Sequence, residues 1–155
     1  MSVAKKSLWL RIATLGPIGY LPKAPGTWGS GAGVLVWVGL SRLPLMAQAA
    51  ALLGLTALAV VSAHKAEPIL GRDAHPIVID EAAGQALTLL IVPKIWWSVI
   101  LAFFFFRLFD VWKPFPVGLS QRLPGGWGVV ADDILAGLYA ALAITLIVDL
   151  TGGGR

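Results

Sequence analysis

The stretch Leu43-Pro-Leu-Met-Ala-Gln-Ala-Ala-Ala-Leu-Leu-Gly-Leu-Thr-Ala-Leu-Ala-Val-Val-Ser-Ala-His64 decides the fold class. It carries no formal charge, and about 20 such residues rising about 1.5 Å each are enough to cross roughly 30 Å of hydrocarbon as a helix. On either side of it lie shorter apolar runs: Gly31 to Leu40, Ala82 to Val92, Ile95 to Phe106 and Ile134 to Val148, the last approaching a full span. Pro44, Pro93 and Pro114 fall between the runs, where a missing amide and a ring clash stop or kink a helix. The pattern predicts an all-α polytopic membrane bundle of about five segments, some short, kinked or re-entrant. No internal repeat, low-complexity tract or linker divides it, so a single domain over residues 1–155 is expected.

Composition agrees with lipid as the main solvent. The 155 residues are 57% hydrophobic and 13% charged, and mean hydropathy is +0.81, outside ordinary soluble usage. Absence of cysteine excludes disulfides, thiolate metal sites and cysteine-nucleophile chemistry. The net charge of +4 comes from scattered bases, and in so apolar a chain the anion to expect is a lipid headgroup, with no nucleic acid and no obligatory protein partner. Lys5-Lys6 before Leu8-Trp9-Leu10 resembles a signal peptide, but Arg11 ends the apolar run, so an interfacial segment is predicted there.

If each segment crosses once, residues 1–30, 65–81 and 107–133 share one side. They carry Lys5, Lys6, Arg11, Lys23, Lys65, Arg72, Arg107, Lys113 and Arg122, against Arg42, Lys94 and Arg155 on the other. The positive-inside rule places the first set in the cytoplasm, and with it nearly every ionisable group. The tryptophans lie mostly near segment ends, as interfacial anchors do.

Three polar clusters stand on that side. In Pro22-Lys-Ala-Pro-Gly-Thr-Trp-Gly-Ser30, glycines would let amides approach a ligand, and the hydroxyls of Thr27 and Ser30 suit phosphate; an ordinary N-cap role fits them equally. Asp80-Glu81 open an apolar helix, which suits the helix dipole, although ionisable groups at membrane depth are functional candidates by default. In the third, Arg107 and Asp110 share a helix face and can pair, Lys113 precedes proline and is biased out of the helical region, and Asp132-Asp133 repeat the acidic opening.

Asp80, Glu81, Asp110, Asp132 and Asp133 thus fall on one face with Arg107, Lys113 and Lys23. Oxygen donors in this number suit Mg²⁺, which also binds phosphate oxygens, so phosphoryl transfer is the chemistry expected, with all five acids as catalytic and metal candidates. A small ion or proton transporter using the same acids is the rival; it should hold them deep within spans, whereas these are expected at segment starts. His64 reads as a boundary residue, and His75 alone gives no basis for a histidine mechanism.

Pro25-Gly-Thr-Trp-Gly-Ser30, Asp73-x-x-x-Ile-Val-Ile-Asp-Glu-x-x-Gly84, Phe106-Arg-Leu-Phe-Asp-Val-Trp-Lys-Pro-Phe-Pro116 and Gly128-x-x-x-Asp-Asp-x-x-Ala-Gly137 resemble, in order, the signature blocks of phosphatidylglycerophosphatase A. The resemblance covers about residues 12 to 148 and departs from the pattern mainly at His75-Pro76. It implies a Mg²⁺-dependent multi-pass enzyme of the bacterial cytoplasmic membrane that converts phosphatidylglycerophosphate to phosphatidylglycerol and phosphate. The five acids would then be metal and catalytic residues, and Arg107 and Lys113 phosphate binders; Lys23, Thr27 and Ser30 of the first polar cluster are phosphate-binding candidates by residue type. An Asp-x-Asp-x-Thr motif, a two-histidine acid phosphatase signature and the paired aspartate motif of CDP-alcohol phosphotransferases are all missing, which favours a hydrolase of this kind over a phosphotransferase.

Overall fold

The computed structural model describes residues 3–152, with side chains from Leu8 onward; Lys5, Lys6 and Arg155, which entered the charge sorting, lie outside the described side chains. Within that range the chain is helical, without strands: α1 (Val3–Ala13), a 3₁₀ turn (Ile18–Tyr20), α2 (Pro25–Leu40), α3 (Leu45–Leu70), α4 (Ile79–Ile91), α5 (Trp96–Trp112), α6 (Val117–Ser120) and α7 (Gly126–Leu150). The all-α expectation holds, with α2, α3, α4, α5 and α7 as the five main segments. Only α3 and α7, of 26 and 25 residues, are long and apolar enough to cross a membrane by themselves. The 13 residues of α4 rise only about 20 Å.

Each predicted proline break is present. Pro44 precedes α3, Pro93 lies in the turn before α5, and Lys113 before Pro114 ends α5 in the left-handed region at φ 49°, ψ 57°. Helix boundaries differ from expectation elsewhere. Residues 65–70, 79–81, 107–112 and 126–133, read as connections, are helical, and α2 starts at Pro25 rather than near Gly31. Proline suits the first turn of α2, where its missing amide costs no hydrogen bond. Glu81 of α4 pairs with Arg107 of α5, Arg107 with Asp110, and Asp132 of α7 with Lys113, so the helices continue through these charged residues. Ala24 precedes α2 with no side-chain cap, so neither Thr27 nor Ser30 serves as an N-cap; the Ser30 hydroxyl donates back to the Gly26 carbonyl.

Small residues set the spacing of the central helices. A Cβ on Gly84 of α4 would lie 2.6 Å from the Asp133 carbonyl oxygen, and one on Gly137 of α7 would lie 2.7 Å from that of Gly84. Thr88 clamps this seam, its hydroxyl shared between the Gly84 and Gly137 carbonyls at 2.9 and 3.2 Å. Such close backbone approach substitutes for hydrophobic collapse where lipid is the solvent. Leu10, Ile12 and Ala13 of α1 turn toward the bundle and pack on a core with Ala59, Ala63 and Val130.

Candidate active site

The starts of α2, α4 and α7 and the end of α5 meet around one cavity of about 330 Å³. Its wall contains Pro25 and Gly26 from α2, Asp80 and Glu81 from α4, Arg107, Asp110 and Val111 from α5, and Asp132 and Asp133 from α7, with Lys113, Asp73 and His75 from the connections. All five sequence-predicted acids and both bases of the third cluster are therefore brought together. Asp80 and Glu81 occupy the first turn of α4, whereas Asp110 sits at the end of α5 and Asp132-Asp133 lie in the second turn of α7. The expectation that the acids stand at segment starts thus holds for α4 alone. Asp80, Asp110, Asp132 and Asp133 are buried, at 4%, 8%, 1% and 3% exposure.

Arg107 organises one half of the cavity. Its Nη1 donates to Asp110 Oδ2 at 2.6 Å and to Ser30 Oγ at 3.5 Å, and lies 3.8 Å from Glu81 Oε1. Gly26 makes room for this arrangement, since a Cβ there would collide with Glu81 Oε1 and crowd both terminal nitrogens of Arg107. Lys113 organises the other half: Nζ donates to Asp132 Oδ2 and stands 3.7 Å from Asp110 Oδ1. Burial works against the Lys113 charge, but the bond to Asp132 and the nearby Asp110 and Asp133 outweigh it and raise its pKa, so the amine stays protonated.

Sequence reasoning missed Gln121. Its Nε2 donates to Asp73 Oδ2 and Asp132 Oδ2, each at 2.9 Å, and no motif marks a glutamine so far from either partner in the chain. Of the first cluster, Ser30 is fully buried beside Arg107. Thr27 and the exposed Lys23 are not brought into the cavity wall.

Six carboxylates, the five predicted acids and Asp73, face Arg107 and Lys113 here, and among the described residues one oxygen each of Asp80, Glu81, Asp132 and Asp133 is buried without a hydrogen-bond partner. Buried anionic oxygens without donors are costly, so the donor set fits a hard divalent cation. Asp110, Asp132 and Asp133 each offer one oxygen, all within 4.8 Å of one another, a spacing that such an ion can bridge.

Acids and fixed cations around one cavity of a helical membrane protein are an arrangement suited to binding a phosphate group. The chain matches the family "Phosphatidylglycerophosphatase A" over residues 11–148. A Haemophilus influenzae phosphatidylglycerophosphatase A is 37% identical over 136 residues, covering 83% of this chain and 82% of the relative. That of Escherichia coli is 34% identical over 126 residues, covering 79% and 73%. A Bacteroides thetaiotaomicron protein named "Putative phosphatidylinositol-3-phosphatase" is 38% identical over 136 residues, covering 83% and 86%. No solved structure matches the chain. The chain belongs to the phosphatidylglycerophosphatase A family and is a lipid phosphatase.

Proposed function

We propose that this protein hydrolyses the terminal phosphate of phosphatidylglycerophosphate in a Mg²⁺-dependent reaction at the cytoplasmic membrane face, giving phosphatidylglycerol and inorganic phosphate. The observation that carries the reading is the closure of five carboxylates, Arg107 and Lys113 on one cavity at the end of the bundle. Family membership and the names of the two phosphatidylglycerophosphatase A relatives support the substrate. The charge distribution supports the cytoplasmic face, because Arg11, Lys65, Arg72 and Arg122 accompany the site, against Arg42 and Lys94 at the other end.

In this reading Arg107 and Lys113 hold the phosphate oxygens. Asp110 fixes the Arg107 guanidinium, while Asp132, itself held by Gln121, aims the Lys113 amine. Asp110, Asp132 and Asp133 would hold such an ion, and the oxygens of Asp80 and Glu81 without partners would be available to it. A bound Mg²⁺ supplies Lewis-acid polarisation of the phosphoryl group. Over the whole reaction the bond between phosphorus and the glycerol oxygen breaks, water supplies the new oxygen on phosphorus, and a proton from that water ends on the glycerol oxygen. Because the cations are fixed before substrate arrives, they stabilise developing charge without reorganising.

The test is phosphate release by the purified protein in detergent from phosphatidylglycerophosphate and, separately, phosphatidylinositol 3-phosphate, with Mg²⁺ and with excess EDTA. Release from the first lipid that EDTA abolishes and Mg²⁺ restores is expected. Metal-independent release would remove the ion from the proposal. Preference for the second lipid would replace the substrate.

A further inference from the structure

Val111 lines the polar cavity and is also 72% exposed. The cavity therefore reaches the surface at α5, and the same side of that helix continues away from it as an apolar stripe. Ile100, Phe104, Arg107 and Val111 are spaced four, three and four residues apart, which places them on one helix face. Ile100 and Phe104 are 50% and 64% exposed, while Arg107 between them and Val111 turns to Ser30 of α2. The residue after Ser30 is Gly31, where nothing lies within 4 Å of the position a Cβ would take. An exposed apolar track thus runs along α5 to the guanidinium proposed to bind phosphate, which reaches Ser30 of α2, and the α2 surface at the adjoining Gly31 is open.

We propose that the seam between α2 and α5 is a lateral entrance for the substrate, with an acyl chain of the phospholipid lying along Ile100 and Phe104 while its phosphate reaches Arg107. This rests on the reading of the cavity as a lipid phosphatase site and names where the diacylglycerol part of the substrate sits. Ile100 and Phe104 do not themselves line the cavity, but they share a helix face with Arg107 and Val111, which do. Exposed apolar residues such as Leu53 on α3 and Leu142 on α7 have no such neighbour on their own face among the lining residues. The α5 track differs from them by its continuity with a buried charged site. A lipid held there keeps its tails in hydrocarbon, so only the headgroup has to leave the interface.

The chain lacks cysteine, so single thiols can be placed and alkylated cleanly. Phe104→Cys and Ile100→Cys, with Leu53→Cys and Leu142→Cys as controls, are each labelled with a bulky maleimide. Hydrolysis is then measured on long-chain phosphatidylglycerophosphate and on its dihexanoyl analogue. Labels on α5 should lower kcat/KM for the long-chain lipid at least about tenfold, equivalent to roughly two buried methylenes of contact. The short-chain analogue should be cleaved within about twofold of the unlabelled rate, as should both substrates by the labelled controls. Gly31→Leu, which adds a side chain into open space on a helix, should reproduce the selective loss without labelling. Equal long-chain rates in labelled α5 variants and controls would overturn the proposal, and so would equal losses on both substrates. Cleavage of the dihexanoyl analogue by the unmodified protein reports on the phosphatase reading separately, so failure of one is distinguishable from failure of the other.

Discussion

Arg107 is bound on three sides, by Asp110, Glu81 and Ser30, and its planar fork cannot be copied by a lysine point charge. Arg107→Lys is expected to keep the net charge and still lower kcat/KM on the order of 100-fold, the scale of losing one preorganised donor. Asp80 and Asp133 have buried oxygens that nothing in the protein satisfies. Asp80→Asn and Asp133→Asn should each reduce turnover by at least the roughly 100-fold that loss of a metal site's outer partner can bring, with unchanged helical circular dichroism in detergent. Near-normal turnover in both would take them out of the site. Among the described residues the exposed His75 makes no side-chain hydrogen bond at the rim, so His75→Ala should cost less than either. The acids and bases themselves were legible in the sequence because charges are conspicuous in an apolar chain. Gln121 was not, since a glutamine in a connection gives no local sign that two aspartates distant in sequence will close around it.

Among the elements, the seam of α4 with α7 holds the acids in register. Gly84 faces the backbone of Asp133, which cannot swing aside as a side chain can. Gly84→Ala therefore has to push α7 away, together with Asp132 and Asp133; a stability loss of about 1–3 kcal/mol is expected, with a drop in turnover beyond it. Gly54 in α3 is the control, with nothing within 4 Å of its Cβ position, and Gly54→Ala should leave stability unchanged or raise it by up to about 1 kcal/mol. Thermal unfolding of both variants in detergent measures the contrast. That helices lie at these places was readable from apolar runs broken at Pro44, Pro93 and Pro114. Their ends were misplaced for a physical reason: hydropathy falls where polar residues begin, but the helix continues if those residues pair across the bundle. Asp132 is inside α7 on that account, paired with Lys113, and Asp110 is held within α5 by Arg107 one turn back.

At the scale of the molecule, the proposed orientation rests on charge. Arg122 lies in the connection at the site end, and Lys94 in the turn at the opposite end. In intact bacterial spheroplasts a membrane-impermeant maleimide should label Lys94→Cys and leave Arg122→Cys unlabelled until the membrane is opened; the reverse pattern would place the site on the outer face. The sequence by itself determined the helical class, the membrane as solvent, the inventory of acids and bases, and a family resemblance that the comparisons then established. Those are local or compositional properties, carried by apolar runs, prolines and short motifs. Only the tertiary structure decided that Lys113 of one connection meets Asp132 of α7, that Ser30 rather than Thr27 or Lys23 reaches Arg107, and that glycines let α4 approach α2 and α7 closely enough to form the cavity. Such contacts join residues far apart in the chain, and their energies depend on packing geometry that no local sequence pattern encodes.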